Sequence, residues 1–119
     1  MNKYQTKLKL KMDELAHASY KETKSFPKEE RCGLTSQLNR AALSIILNYI
    51  EGYGRQGGKT RLHFMEISYG SLREVKYLIH FCHVEEMIKK ETYDQLFLLS
   101  DTIGKMLYAE IKNLRKTTR

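Results

Sequence analysis

Four apolar series at helical spacing, separated by short breaks, constrain this chain more than any other feature. Residues three or four apart stack on one face of an α-helix. The first series is Tyr4, Leu8, Met12, Leu15 and Ser19, and its segment stops at Ser25-Phe26-Pro27. Pro27 cannot sit inside a helix but suits the first turn of the next, where Glu29 and Glu30 meet the positive end of the helix dipole. The second helix runs to Gly52, and Gly54, Gly57 and Gly58 mark a turn. A third runs from about Thr60 to Val84 through Met65, Ser68, Leu72, Val75, Ile79 and Cys82. A charged break, Glu85 to Glu91, precedes the fourth, which carries Leu96, Leu99, Ile103, Met106, Leu107, Ile111 and Leu114. Short connections between long helices imply antiparallel neighbours. The expected fold is therefore all-α: an antiparallel up-down-up-down four-helix bundle, one domain over residues 1–119.

Composition narrows the functional classes. Apolar residues make up 41% of the 119-residue chain and aromatics 10%, which excludes a disordered segment. No apolar run approaches the roughly 18–20 residues of a membrane span, and MNKYQTKLKLKMDE has no apolar segment of signal-peptide type. No membrane association is expected. Cys32 and Cys82 lie outside any CxxC or His-Cys cluster. They are expected to be reduced core residues, with the cytoplasm as the compartment.

The second helix, NRAALSIILNYIEGYGR over residues 39–55, has an unusual circumference. Arg40, Ser44, Asn48, Glu51 and Arg55 fall within one arc of about 80°. Leu34, Leu38, Ala41, Ile45 and Tyr49 occupy a second arc, wide enough to face one bundle core. Ala42, Leu43, Ile46, Leu47 and Ile50 occupy a third. A helix in a single four-helix core buries little more than 100° of its surface. The third arc is therefore expected to meet another subunit, making the protein a homo-oligomer.

FPKEERCGLTSQLNRAALSI, then NYIEGYGR, then HFMEISYGSLREVKYLI resemble the four-helix bundle proteins encoded in intervening sequences of bacterial 23S ribosomal RNA genes. That family is related to the accessory variability proteins of diversity-generating retroelements. The match covers about residues 4–114, with the signature QLxRAAxSIxxNxxEGxGR followed by GSLxE. The resemblance implies a homopentameric ring with no established enzymatic activity, and no cofactor is expected. It also implies RNA or DNA binding, and a reverse transcriptase as protein partner on the retroelement branch. Ile46 and Leu47 stand where the family usually has Pro and Ala, so the proline kink of the family helix is absent. The signature residues carried over are Arg40, Ser44, Asn48, Glu51, Gly52, Gly70, Ser71 and Glu74. The polar ones are expected to form a hydrogen-bonded structural network, with Arg40 donating to Glu51 or Glu74 and Gly70 letting two helices approach.

Several catalytic patterns are weak. Glu14-Leu15-Ala16-His17 is an ExxH, but a di-iron bundle needs a second one and two more carboxylates. His80 and His83 share a helix face without an acidic partner at the right spacing. No metal site is expected. Arg73 and His80 form R-x6-H, which gives an alternative reading as a small metal-independent ribonuclease, His as acid/base and Arg on the phosphate. GYGRQGGKT lacks GxxxxGK[ST] and a preceding strand, so it is a turn and not a phosphate loop.

Charge distribution is the stronger lead. The net charge is +7. Residues 1–11 contribute +4, residues 55–61 +3, and residues 105–119 +4. In an up-down-up-down bundle these three segments share one end, and the other end is near neutral. That end, with Lys7, Lys11, Arg55, Lys59, Arg61, Lys112, Arg115 and Lys116, is the expected nucleic-acid surface, attracting phosphates without reading sequence. A structural ring with a protein partner is the remaining alternative.

Overall fold

The computed structural model describes residues 1–118. Arg119, counted above with the basic C-terminal segment, lies outside the described residues. The structure contains α1 (Lys3–Thr23), α2 (Ser36–Tyr53), α3 (Gly58–Val84) and α4 (Lys90–Thr117). Each helix packs on its sequence neighbours and α4 returns to α1, closing a four-cornered bundle 46 × 25 × 20 Å in extent. Among the described residues there is no strand, and no helix is long and apolar enough to cross a membrane.

The core is built from the predicted series. Leu8, Met12, Leu15 and Ser19 of α1 are buried, as are Met65, Ser68, Leu72, Val75, Ile79 and Cys82 of α3 and Leu96, Ile103, Leu107 and Ile111 of α4. Two glycines within helices stand at close helix approaches. A Cβ on Gly52 would lie 3.3 Å from the Arg61 carbonyl oxygen, and one on Gly104 3.2 Å from Leu72 Cδ2. Gly70, expected to serve this purpose, is exposed, with nothing within 4 Å of an added Cβ.

Three local features depart from expectation. Pro27 precedes a 3₁₀ turn, Lys28–Glu30, and a wide π turn, Arg31–Thr35, rather than α2 itself. Gly33 adopts φ −102°, ψ −108° there, which interrupts the helical ladder and delays α2 to Ser36. Cys82 is buried but Cys32, on that turn, is exposed; both are free thiols. Burial pushes the Cys82 thiol up to about 11, with the Glu30 charge adding to it.

The third arc of α2 splits in two. Ala42 is fully buried and Ile46 is 8% exposed, because α2 sinks toward α1 as well as α3. Ile46 and Leu43 line a shallow depression with Ala16, His17 and Tyr20 of α1. Ala42 and Ile46 thus belong to the chain's own core, leaving Leu43, Leu47 and Ile50 exposed at 48%, 59% and 42%.

Candidate nucleic-acid interface

The starts of α1 and α3 and the ends of α2 and α4 meet at one end, as the topology requires. Tyr4 Oη donates to the Met106 carbonyl over 2.8 Å, tying α1 to α4. Arg115 Nη2 donates to Glu66 Oε2 over 2.8 Å, tying α4 to α3. Asn2 and Gln5 form a capping box that starts α1, each side chain bonding the other's backbone N–H, at 2.8 and 2.9 Å.

The eight predicted cations divide by what they touch. Arg61 serves the fold. Its Nε donates to the Gly52 carbonyl at 3.4 Å, which also accepts from the Arg55 N–H at 3.2 Å, and its Nη2 donates to the Arg55 carbonyl at 3.3 Å, holding the turn that follows α2. Its guanidinium also sits 5.2 Å from the Tyr53 ring centroid. Arg55 pairs with Glu51 and lies 5.2 Å from the Phe64 ring. The Glu66 carboxylate holds the Arg115 guanidinium above its ordinary pKa. Lys7, Lys59, Lys112 and Lys116 are exposed and Lys11 is half-buried. No ion pair among the described residues engages these five lysines. Glu51 and Glu66 come from other segments of the sequence, so this end is less uniformly positive than its three basic segments.

Glu110 sits among these cations, and the sequence reading did not single it out. Fully buried Tyr49 donates its hydroxyl to Glu110 Oε1 over 2.6 Å, Tyr53 donates to Oε2, and Gln5 Nε2 lies 3.5 Å from Oε2. The two tyrosine rings meet edge-on at 5.1 Å. Burial first, then the Glu110 carboxylate, raises both phenols far above their ordinary pKa. Tyr4 is raised for the same reasons, burial first. An open cavity of about 420 Å³ adjoins this cluster, lined by Tyr4, Gln5, Tyr53, Arg61, Glu110 and Asn113 among others. Tyr49 and Tyr53 stand at i, i+4, and Glu110 is the lone acid of a basic segment. That pattern was available as a signal.

The polar stripe of α2 comes together only in part. Ser44 Oγ and Ser71 Oγ are 2.7 Å apart, and Asn48 Nδ2 donates to Ser44 Oγ at 2.9 Å and to the Ser44 carbonyl at 2.8 Å. Arg40 and Glu74 are exposed and line the same groove, together with Gln37 and Ser71. Among the described residues no ion pair links Arg40 to Glu51 or Glu74; Glu51 turns to Arg55. The inter-helix network is therefore Ser44, Asn48 and Ser71.

The other patterns find these surroundings. Arg73 and His80 are exposed on α3, separated by about 10 Å of helix rise, and His80 lies beside the Tyr77 and Tyr93 rings. His83 stacks on Tyr93 at 4.8 Å, its Nδ1 2.9 Å from the Ile88 carbonyl. His17 lies 3.4 Å from Asp13 on the surface of α1. No group of three His, Cys, Asp or Glu among the described residues could hold a metal ion.

Comparison with known proteins places this arrangement in context. Residues 5–109 match the family model of the 23S rRNA-intervening sequence protein. A solved structure of a protein of unknown function from the S23 ribosomal protein family of Bacteroides thetaiotaomicron shares the fold, with a TM-score of 0.85 and 24% identity. The superposition covers 92% of this chain and 98% of that one. No curated protein matches the sequence. With nearly its whole bundle matched by the family model, the chain belongs to the 23S rRNA-intervening sequence protein family.

Proposed function

We propose that this protein is a non-enzymatic, oligomeric bundle that binds RNA or DNA by the phosphate backbone at the end where α1 and α3 begin. The observation that carries this reading is the set of five lysines, Lys7, Lys11, Lys59, Lys112 and Lys116, contributed by three helices and engaged by no described carboxylate. Unpaired ammonium groups on flexible stems suit backbone contact, which depends on charge and not on base identity.

Assembly belongs to the same proposal. Leu43, Leu47 and Ile50 form an exposed apolar stripe at i, i+4, i+7 on α2, and a second copy of the chain is its occupant. The sequence resemblance implies a pentameric ring. A ring with subunits side by side carries every subunit's lysines on one face, so one strand meets many cations. The test is fluorescence anisotropy with labelled single-stranded RNA on the wild type and on Lys7→Glu/Lys59→Glu/Lys112→Glu/Lys116→Glu. These four side chains are exposed, so folding is retained, whereas reversing Arg55 or Arg61 would also remove contacts that end α2. Loss of binding in the variant is expected. Equal affinity would move the surface elsewhere.

A further inference from the structure

We propose that the cavity beside Glu110 takes a guanine base, so that this end reads one nucleotide while its lysines hold the backbone. The proposal rests on the strand-binding reading for the source of the base. The cavity, about 420 Å³, lies within the range of small-molecule sites. Its walls carry the Tyr4 ring with Met65 and Leu114, and the Tyr53 ring whose face is shared with the Arg61 guanidinium 5.2 Å away, a lining suited to a flat heterocycle. Its fixed polar feature is the Glu110 carboxylate, clamped by hydroxyls from Tyr49 and Tyr53.

The clamp decides what can bind. An ionised carboxylate only accepts, with two oxygens and about four lone-pair positions. Tyr49 uses one on Oε1 and Tyr53 one on Oε2, and the 3.5 Å contact from Gln5 is weak enough to yield. Each oxygen therefore retains capacity, and the complement is a ligand with two adjacent N–H donors. At the carboxylate itself a phosphate is disfavoured by like charge, and the Arg61 guanidinium on the same wall already bonds the Gly52 and Arg55 carbonyls. Among the bases, guanine alone offers neighbouring N1–H and N2–H groups on its Watson–Crick edge. Adenine and cytosine place a ring acceptor beside their amino group, and the uracil N–H is flanked by two carbonyl oxygens. Each of those would turn an acceptor toward the carboxylate. Bases splayed from single strands are read in this way, by edge hydrogen bonds and aromatic stacking.

The test compares a labelled U-rich RNA with the same strand carrying one central guanine, and GMP with AMP, CMP and UMP. The proteins are the wild type, Glu110→Gln and Ala109→Trp. Ala109 is an exposed residue on the cavity wall, so a tryptophan there plugs the space while leaving the Tyr49–Glu110–Tyr53 cluster in place. The wild type should prefer the guanine strand by about 5- to 160-fold, the range of one bidentate edge contact, and should bind GMP ahead of the other nucleotides. Both variants should lose that preference and keep their affinity for the all-U strand. Should Glu110→Gln fail to fold, Ala109→Trp carries the comparison. Binding of both strands with equal affinity, without GMP preference, overturns the guanine site and leaves strand binding standing. GMP preference without binding of either strand supports the guanine site and overturns the strand reading. Neither binding nor preference overturns both.

Discussion

Glu110 shows how much one residue's meaning depends on what the fold brings to it. Along the sequence it is a lone acid among lysines; in the bundle it accepts from a buried tyrosine and a half-buried one. Hydrogen bonds to a charged acceptor contribute about 1.5–3 kcal/mol, so Tyr49→Phe should lower unfolding free energy by an amount in that range. The same contact has a pH signature. A phenol whose folded pKa is raised stabilises the fold fully below its unfolded value of about 10, and the stability is lost as pH rises beyond that value. Both Tyr49 and Tyr53 are raised. Denaturant titrations should therefore show stability falling from about pH 10 upward, less steeply in Tyr49→Phe than in wild type. Parallel curves would show that the Tyr49 phenol is not held neutral by this cluster. Arg40 teaches the converse. Its place in the signature stripe is legible, but its exposure is not, because within the stripe Ser44 alone bonds across to Ser71, with Asn48 bonding Ser44 from within α2.

At the level of helices, most of the fold was legible. The α1, α3 and α4 series were read directly, since a period of 3–4 apolar residues is the physical requirement for packing a helix. The turn over residues 28–35 was not. Pro27 and two glutamates look like an ordinary helix start, and only Gly33 hints that the chain leaves the helical ladder before α2. The depth of α2 was also hidden. Angular arcs show how much of a helix is apolar, not whether one chain or two cover it. The core position of Ile46 and the exposure of Leu47 separate these cases experimentally. Ile46→Glu should unfold the chain, since a buried unpaired carboxylate costs several kcal/mol. Leu47→Glu should leave helical content and thermal unfolding of the chain intact while reducing the mass seen by light scattering to 14.0 kDa, that of one chain. An assembly that survives Leu47→Glu would remove this stripe from the interface.

For the whole molecule, topology made the basic end predictable: an even number of antiparallel helices returns both termini to the side of the second connection. Only the Glu51–Arg55 pair, at i, i+4 on one helix face, was visible in the sequence; the rest of the company those cations keep was not. Glu51 and Glu66 reach Arg55 and Arg115 from neighbouring turns and helices, and Arg61 is spent on carbonyls at the end of α2. The proposed binding therefore rests on the lysines, and lysine–phosphate contact has a distinctive thermodynamic mark. Each neutralised phosphate on a single strand releases counterions and adds about 0.7 to the slope of log affinity against log salt. The most direct measurement is that slope for single-stranded RNA between about 50 and 200 mM salt, compared between wild type and Lys7→Gln/Lys59→Gln/Lys112→Gln/Lys116→Gln. The account predicts a steep negative slope for wild type and one shallower by about 0.7 per contacting lysine in the variant. Identical slopes, or a wild-type affinity indifferent to salt, would contradict it.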